Sequence, residues 1–147
     1  SSTENATKTG PRNDLATMET AILTINNHTF QTWLAKTDSE REHGLMQVTA
    51  DQMAKTPDGA ERGMLFLFGR EQILQFWMKD TVIPLDIAFI RNDGRIVQIH
   101  TMAPLETRLY SSVMPASMAL EVRAGLLHEL GVVTGDLVQI PESVLKR

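Results

Sequence analysis

The run Asp86–Thr101, DIAFIRNDGRIVQIHT, carries the reading that decides the fold. Two strand-length stretches rich in β-branched residues, Asp86 to Arg91 and Arg95 to Thr101, flank Asn92-Asp93-Gly94. Asn, Asp and Gly tolerate the positive φ that a tight antiparallel turn requires, so the run predicts a β-hairpin. Similar stretches lie on both sides of it. Upstream, Met64 to Phe68 and Ile73 to Lys79 are rich in β-branched or aromatic residues; downstream, Met118 to Ala124 and Leu137 to Ile140 follow. Nearer the start, Ala21 to Ile25 and Phe30 to Ala35 flank Asn26-Asn27-His28, a second hairpin. Helical signals are few. Thr37 with Glu40 and Ser39 with Glu42 offer two registers of a capping box ahead of Gly44, and GLLHELG (Gly125–Gly131) has room for a turn or two. Val48 to Arg62 reads as a long polar loop holding the turn Pro57-Asp58-Gly59. About eight short strands and no strand–long helix repeat predict a mainly β domain, an antiparallel sandwich or barrel with one or two short helices.

A chain of 147 residues has room for one ordinary core, expected over residues 21–147. It is 42% hydrophobic and 22% charged, which excludes a disordered chain. Its net charge of −4 gives no basic stripe to displace the counterions of a nucleic acid. No stretch approaches the roughly 20 apolar residues that span a bilayer. The absence of cysteine excludes disulfides, thiolate metal sites and thiol nucleophiles. Residues 1–20 are mostly small and polar, predicting a disordered spacer. Such a spacer is what remains when a signal peptide is removed, so an extracytoplasmic (periplasmic or secreted) location is expected.

The motifs REHGLM, GMLFLF, FWMKDTVIPLDIAFI, LEVRAG and the late Gly135-Asp136 occur in that order. With them the chain resembles the prokaryotic family called domain of unknown function 192, from about Leu34 to Ile140. The resemblance implies a compact β-sandwich of jelly-roll type, with export signals in many members, and no established activity. The matching positions include Arg41, Gly44, Gly63, Trp77, Lys79, Pro84, Asp86, Glu121 and Gly125. Asp80 stands where the family more usually has Asn.

Chemistry concentrates at FWMKDT, Phe76 to Thr81. On a strand, Trp77 shares a face with Gln75 and Lys79, whereas Phe76 and Met78 share the other with Asp80. Trp77 can stack on a sugar ring beside the Lys79 charge, or pack as a rim residue under the Asp51–Glu61 loop. Asp80 and Asp86 flank the Val82–Leu85 turn, where carboxylates can divide acid and base roles or cap turn amides. Arg41 can recognise an anion with its fork of donors, or clamp the short helix to the sheet through Asp86 or Glu121. Glu121 alternates with Leu120 and Val122, the pattern of a solvated face, and only the family match raises it above that. The four histidines lack metal-site spacing, and no Gly-rich phosphate loop occurs, so neither a metal nor a cofactor is expected.

These residues predict a non-catalytic exported domain that binds a small polar molecule or glycan fragment through Arg41, Trp77, Lys79, Asp86 and Glu121. Two alternatives draw on the same residues and loops. One is a hydrolase or lyase using the carboxylates beside Lys79; the other is a protein-interaction module using the Val48–Arg62 loop or a sheet edge.

Overall fold

The computed structural model describes residues 11–146. In chain order they form β1 (Thr20–Ile25), β2 (His28–Ala35), α1 (Asp38–His43), β3 (Glu61–Gln72), β4 (Gln75–Phe76), β5 (Leu85–Ile90) and β6 (Ile96–Met102). There follow β7 (Tyr110–Ser111), β8 (Ala116–Arg123), α2 (Leu126–Glu129), β9 (Val138–Gln139) and α3 (Glu142–Leu145). The protein is mainly β, with three short α-helices among the described residues where one or two were expected.

Both predicted hairpins form. Strands β5 and β6 pair antiparallel from Leu85↔Met102 to Ile90↔Ile96. The Gly94 amide donates to the Arg91 carbonyl at 2.9 Å, with Gly94 at φ +89°. Strands β1 and β2 pair from Thr20↔Trp33 to Ile25↔His28 across Asn26 and Asn27, both at positive φ as a two-residue turn demands.

Seven strands make one sheet in the order β6-β5-β8-β3-β2-β1-β9, while β4 and β7 form a separate ribbon. The sheet is curled. Its two edges meet where Arg95 bridges Leu137, the Val138 amide donates to the Gly94 carbonyl at 2.8 Å, and the Ile96 amide donates to the Asp136 carbonyl at 3.0 Å. Only glycine fits that junction, since a Cβ at Gly94 would lie 2.7 Å from the Val138 oxygen. The result is a half-barrel closed at one end.

The sheet is not wholly antiparallel, which corrects the expectation. Strands β2 and β3 run parallel, Phe30↔Glu61 through Ala35↔Phe66. A parallel pair needs a crossover of a dozen or more residues. Here residues 36–60 provide it, using α1, a 3-10 turn at Ala50–Met53 and loop in place of a long helix. The helix α1 takes the Thr37–Glu40 register: the Glu40 amide donates to Thr37 Oγ1 at 3.1 Å and the Thr37 amide to Glu40 Oε1 at 3.1 Å.

Alternation along the strands builds two cores, one on each face. Leu23, Ile25, Phe30, Leu34, Leu65, Ala88, Ile90, Ile96, Leu120, Val122 and Val138 come from all seven strands of the sheet, so theirs is the inner face. Leu126 and Leu127 of α2 and Val144 of α3 plug it. The outer face carries Trp33, Met64, Phe66, Leu85, Ile87, Phe89 and Ala119, covered by Leu45, Val48, Met53, Leu74, Met78 and Tyr110. Covering both faces explains why every residue of β5 is buried.

Residues 11–20 are ordered, in contrast to the expected spacer. Asn13 is buried, and its side-chain amide donates to the carbonyls of Glu40 (3.0 Å) and Gly44 (2.9 Å), closing the C-terminal end of α1. A short polar side chain here does what polarity alone does not reveal. The remainder of the expected spacer, residues 1–10, lies outside the described residues.

Candidate functional site

A pocket of ≈ 250 Å³ opens on the outer face of the half-barrel. The end of α1 and Gly44–Met46 form one wall, Phe66 and Phe68 of β3 another, and Gln75, Phe76, Trp77, Lys79 and Thr81 a third. Glu121 of β8 lies at its floor.

The strand register accounts for that floor. Glu121 stands between Met64 of β3 and Ile87 of β5, both fully buried on the same outer face. A carboxyl group placed there meets no donor or cation from either neighbour. It is 4% exposed and makes no hydrogen bond or ion pair with any described residue, yet neither oxygen is sealed off. The opening left to it is the pocket. Burial pushes its pKa up to about 8, so at neutral pH it is mostly an uncharged acid. Gly63 makes this close packing feasible: a Cβ there would lie 2.8 Å from the Glu121 carbonyl oxygen.

The walls are aromatic. Phe76 sits edge-on to Phe66, Phe68 and Phe89, with ring centroids 4.9, 5.9 and 5.7 Å away. Trp77 is at the mouth, 43% exposed, and Lys79 Nζ lies 5.4 Å from its ring centroid. The strand Ile73 to Lys79 is shorter than expected, ending at Phe76. Gln75, Phe76 and Trp77 therefore all line the pocket instead of alternating between two faces. The chain then turns through Asp80 at φ +56°. After glycine, Asn and Asp are among the residues that most readily adopt that conformation, which is a backbone reason for either at this position. Its carbonyl accepts from the Gln47 amide at 3.0 Å.

Four of the five residues expected to form the site meet here: Arg41, Trp77, Lys79 and Glu121. Their states differ. Arg41 clamps α1 to β3: Nη1 donates to the carbonyls of Lys36 and of Leu67 (2.9 Å), and Nη2 pairs with Asp38 at 2.6 Å. The guanidinium also stacks 5.3 Å from the Phe68 centroid. Its anchoring partners are carbonyls and Asp38, rather than Asp86 or Glu121. Lys79 has no ion pair among the described residues.

Asp86 lies elsewhere. It pairs with Val122, one position along from Glu121, and so projects to the inner face. Its Oδ1 accepts from the Thr101 hydroxyl at 2.7 Å, and its Oδ2 from the amides of Gly125 (3.1 Å) and Leu127 (3.2 Å). The carboxylate thus holds the start of α2 and is fully engaged. Asp80 and Asp86 do not converge on one opening.

The sequence left out His43, Phe66, Phe68 and Phe76 as pocket residues. His43 Nδ1 donates to the Ser39 carbonyl at 2.9 Å. The three Phe residues carried only the alternation of a core strand, which is also how an apolar pocket wall reads. Among the described residues no cluster of three His, Asp or Glu side chains could hold a metal ion. No helix among them is long and apolar enough to cross a membrane.

The family model DUF192, described as "Uncharacterized ACR", matches residues 21–140. A crystal structure from Sinorhizobium meliloti 1021, described as a "putative transcription regulator", is 36% identical with a TM-score of 0.72, covering 83% of this chain and 92% of that one. A protein of unknown function from Novosphingobium aromaticivorans is 30% identical with a TM-score of 0.75, covering 88% of this chain and 91% of that one. No curated protein matches.

Proposed function

This chain belongs to the DUF192 family, and since that description names no activity, we propose a function from the pocket itself: binding of a small polar ligand without catalysis. The observation that carries the reading is Glu121, a buried carboxyl with no partner among the described residues that borders an aromatic-walled opening. Buried polar groups are ordinarily satisfied, and one left open at the floor of a pocket is supported by an incoming partner. A volume of ≈ 250 Å³ admits about eight water-sized groups, which limits the ligand to a small molecule or one residue of a larger one.

A glycan fragment is the narrower form of this reading and uses Trp77 as a stacking wall. One face of that ring already carries the Lys79 ammonium, so a sugar would take the other face or displace the lysine. The hydrolase or lyase alternative loses its pair of carboxylates, because Asp86 is bonded on the opposite face of the sheet. The description of the S. meliloti relative suggests DNA; a net charge of −4 lends that no electrostatic support here. Export is part of the proposal, on the small polar composition of residues 1–14, and cell fractionation of the full-length protein tests it.

Fluorescence tests the binding. Trp33 is buried in the outer core, so Trp33→Phe leaves Trp77 as the reporter at the pocket mouth. Saturable changes on titrating sugars, amino acids and small amines support the reading. A flat response to every class contradicts it.

A further inference from the structure

Two side chains of opposite charge type stand at opposite depths of the pocket, and neither has an ionic partner among the described residues. Glu121 is at the floor, 4% exposed, with Met64 and Ile87 as its cross-strand neighbours. Lys79 is at the exposed mouth beside Trp77. From this arrangement we propose that the ligand is a small zwitterion of the amino-acid class, its ammonium seated on Glu121 and its carboxylate toward Lys79. The inference rests on the binding function proposed above and deepens it by naming the ligand.

The floor selects a cation for three reasons. A carboxylate there accepts hydrogen bonds and lacks a donor among the described residues, and an ammonium supplies up to three. The rings of Phe66, Phe68, Phe76 and Trp77 line the same space, and aromatic faces attract cations. The enclosed setting strengthens an ion pair formed inside it. Other charged or titratable groups lining the pocket are Arg41, Glu42 and His43, all from α1. Arg41 is held by Lys36, Leu67 and Asp38, and His43 by Ser39. Lys79 is the cation left to meet the ligand's acid end. Thr81 and Gln75 add polar groups to the lining.

The proton balance gives a distinct signature. At neutral pH Glu121 carries its proton, and the incoming amine is already an ammonium. Forming the carboxylate–ammonium pair sends the Glu121 proton to the buffer, so binding releases close to one proton per site at pH 7.

The test is calorimetry of the whole protein in two buffers of different ionisation enthalpy. The probes are free amino acids, their N-acetyl derivatives, their methyl esters, and neutral sugars. The expected result is that free amino acids bind with release of close to one proton. N-acetylation, which removes the ammonium, weakens binding at least about tenfold. Esterification weakens it less, and Lys79→Met abolishes the difference between acid and ester. Glu121→Gln, nearly isosteric and neutral, abolishes proton release and weakens the free amino acids. If neutral sugars or N-acetyl derivatives bind as tightly as free amino acids, or binding releases no proton, the zwitterion inference is overturned while the binding function stands. If no probe of any class binds, both fall.

Discussion

Asp86 and Glu121 are one position out of register across the β5–β8 ladder, and they project to opposite faces of the same sheet. Asp86 is 2% exposed and accepts three hydrogen bonds; Glu121 is 4% exposed and accepts none from the described residues. Two buried carboxyl groups separated by one sheet thickness therefore do different work. One holds a helix start in place, and the other is open to a pocket.

Replacing Asp86 measures the structural role. Asp86→Asn can keep its oxygen on the Gly125 and Leu127 amides and turn its NH2 to the Thr101 hydroxyl, which also accepts, so it loses the charge and not the bonding pattern. The expected loss is roughly 1–3 kcal/mol of stability, because bonds to a charged acceptor become bonds to a neutral one. Thr101→Val removes a single bond and costs about 1 kcal/mol. Urea denaturation checks both, and ligand titration of the folded fraction is expected to be unchanged.

Glu121 predicts an unusual pH dependence. Its pKa is raised in the fold, from about 4.5 to about 8, so between those limits the native state binds more protons than the unfolded one. The contribution to stability is complete below about pH 4.5, declines as pH rises, and is gone above about pH 8. The slope from this one group reaches about 1.4 kcal/mol per pH unit. Subtracting the pH–stability profile of Glu121→Gln from that of the wild type isolates it. A difference that is flat from pH 5 to 8 would count against burial as the cause.

Helix α1 offers a test of register. Thr37→Ala removes the cap that is formed and is expected to cost about 1 kcal/mol. Ser39→Ala, at the alternative register, is expected to change stability by less than about 0.5 kcal/mol. Thermal unfolding of the pair distinguishes the two. Equal losses would place the cap at neither residue alone.

Arg41 is expected to act through backbone carbonyls more than through its exposed ion pair. Arg41→Lys cannot reproduce the fork that spans Lys36 and Leu67, and a loss of about 1–2 kcal/mol is expected together with faster amide exchange in α1. Asp38→Asn, at a fully exposed partner, is expected to alter stability by less than about 0.5 kcal/mol. Denaturation and hydrogen exchange on both variants check the ranking.

Local signals in the sequence were strong where a short segment determines its own geometry. Asn92-Asp93-Gly94 and Asn26-Asn27 marked both hairpins because positive φ is confined to few residue types. Long-range arrangements left weaker marks. The parallel β2–β3 pair was hidden because its crossover lacks the long helix that usually announces one. Glu121 looked like a member of a solvated face because its alternation with Leu120 and Val122 is identical whether the other side is wet or covered. Its cover comes from α1 and residues 75–81, which lie far from β8 in the chain. Trp77 and Lys79 were legible as neighbours, and they are adjacent in space. Asp86 was legible as important, but its partners Thr101, Gly125 and Leu127 depend on which face it takes. That face followed from the sheet order rather than from its own neighbours.

Glu121 is a buried, uncharged acid with no partner among the described residues, open to the pocket. Following its side-chain carboxyl carbon by NMR from pH 4 to 10 in the ligand-free protein tests this most directly. The account predicts a midpoint near pH 8. A midpoint at the ordinary glutamate value of about 4.3 would contradict it, since a carboxyl that ionises so readily is either hydrated or already paired.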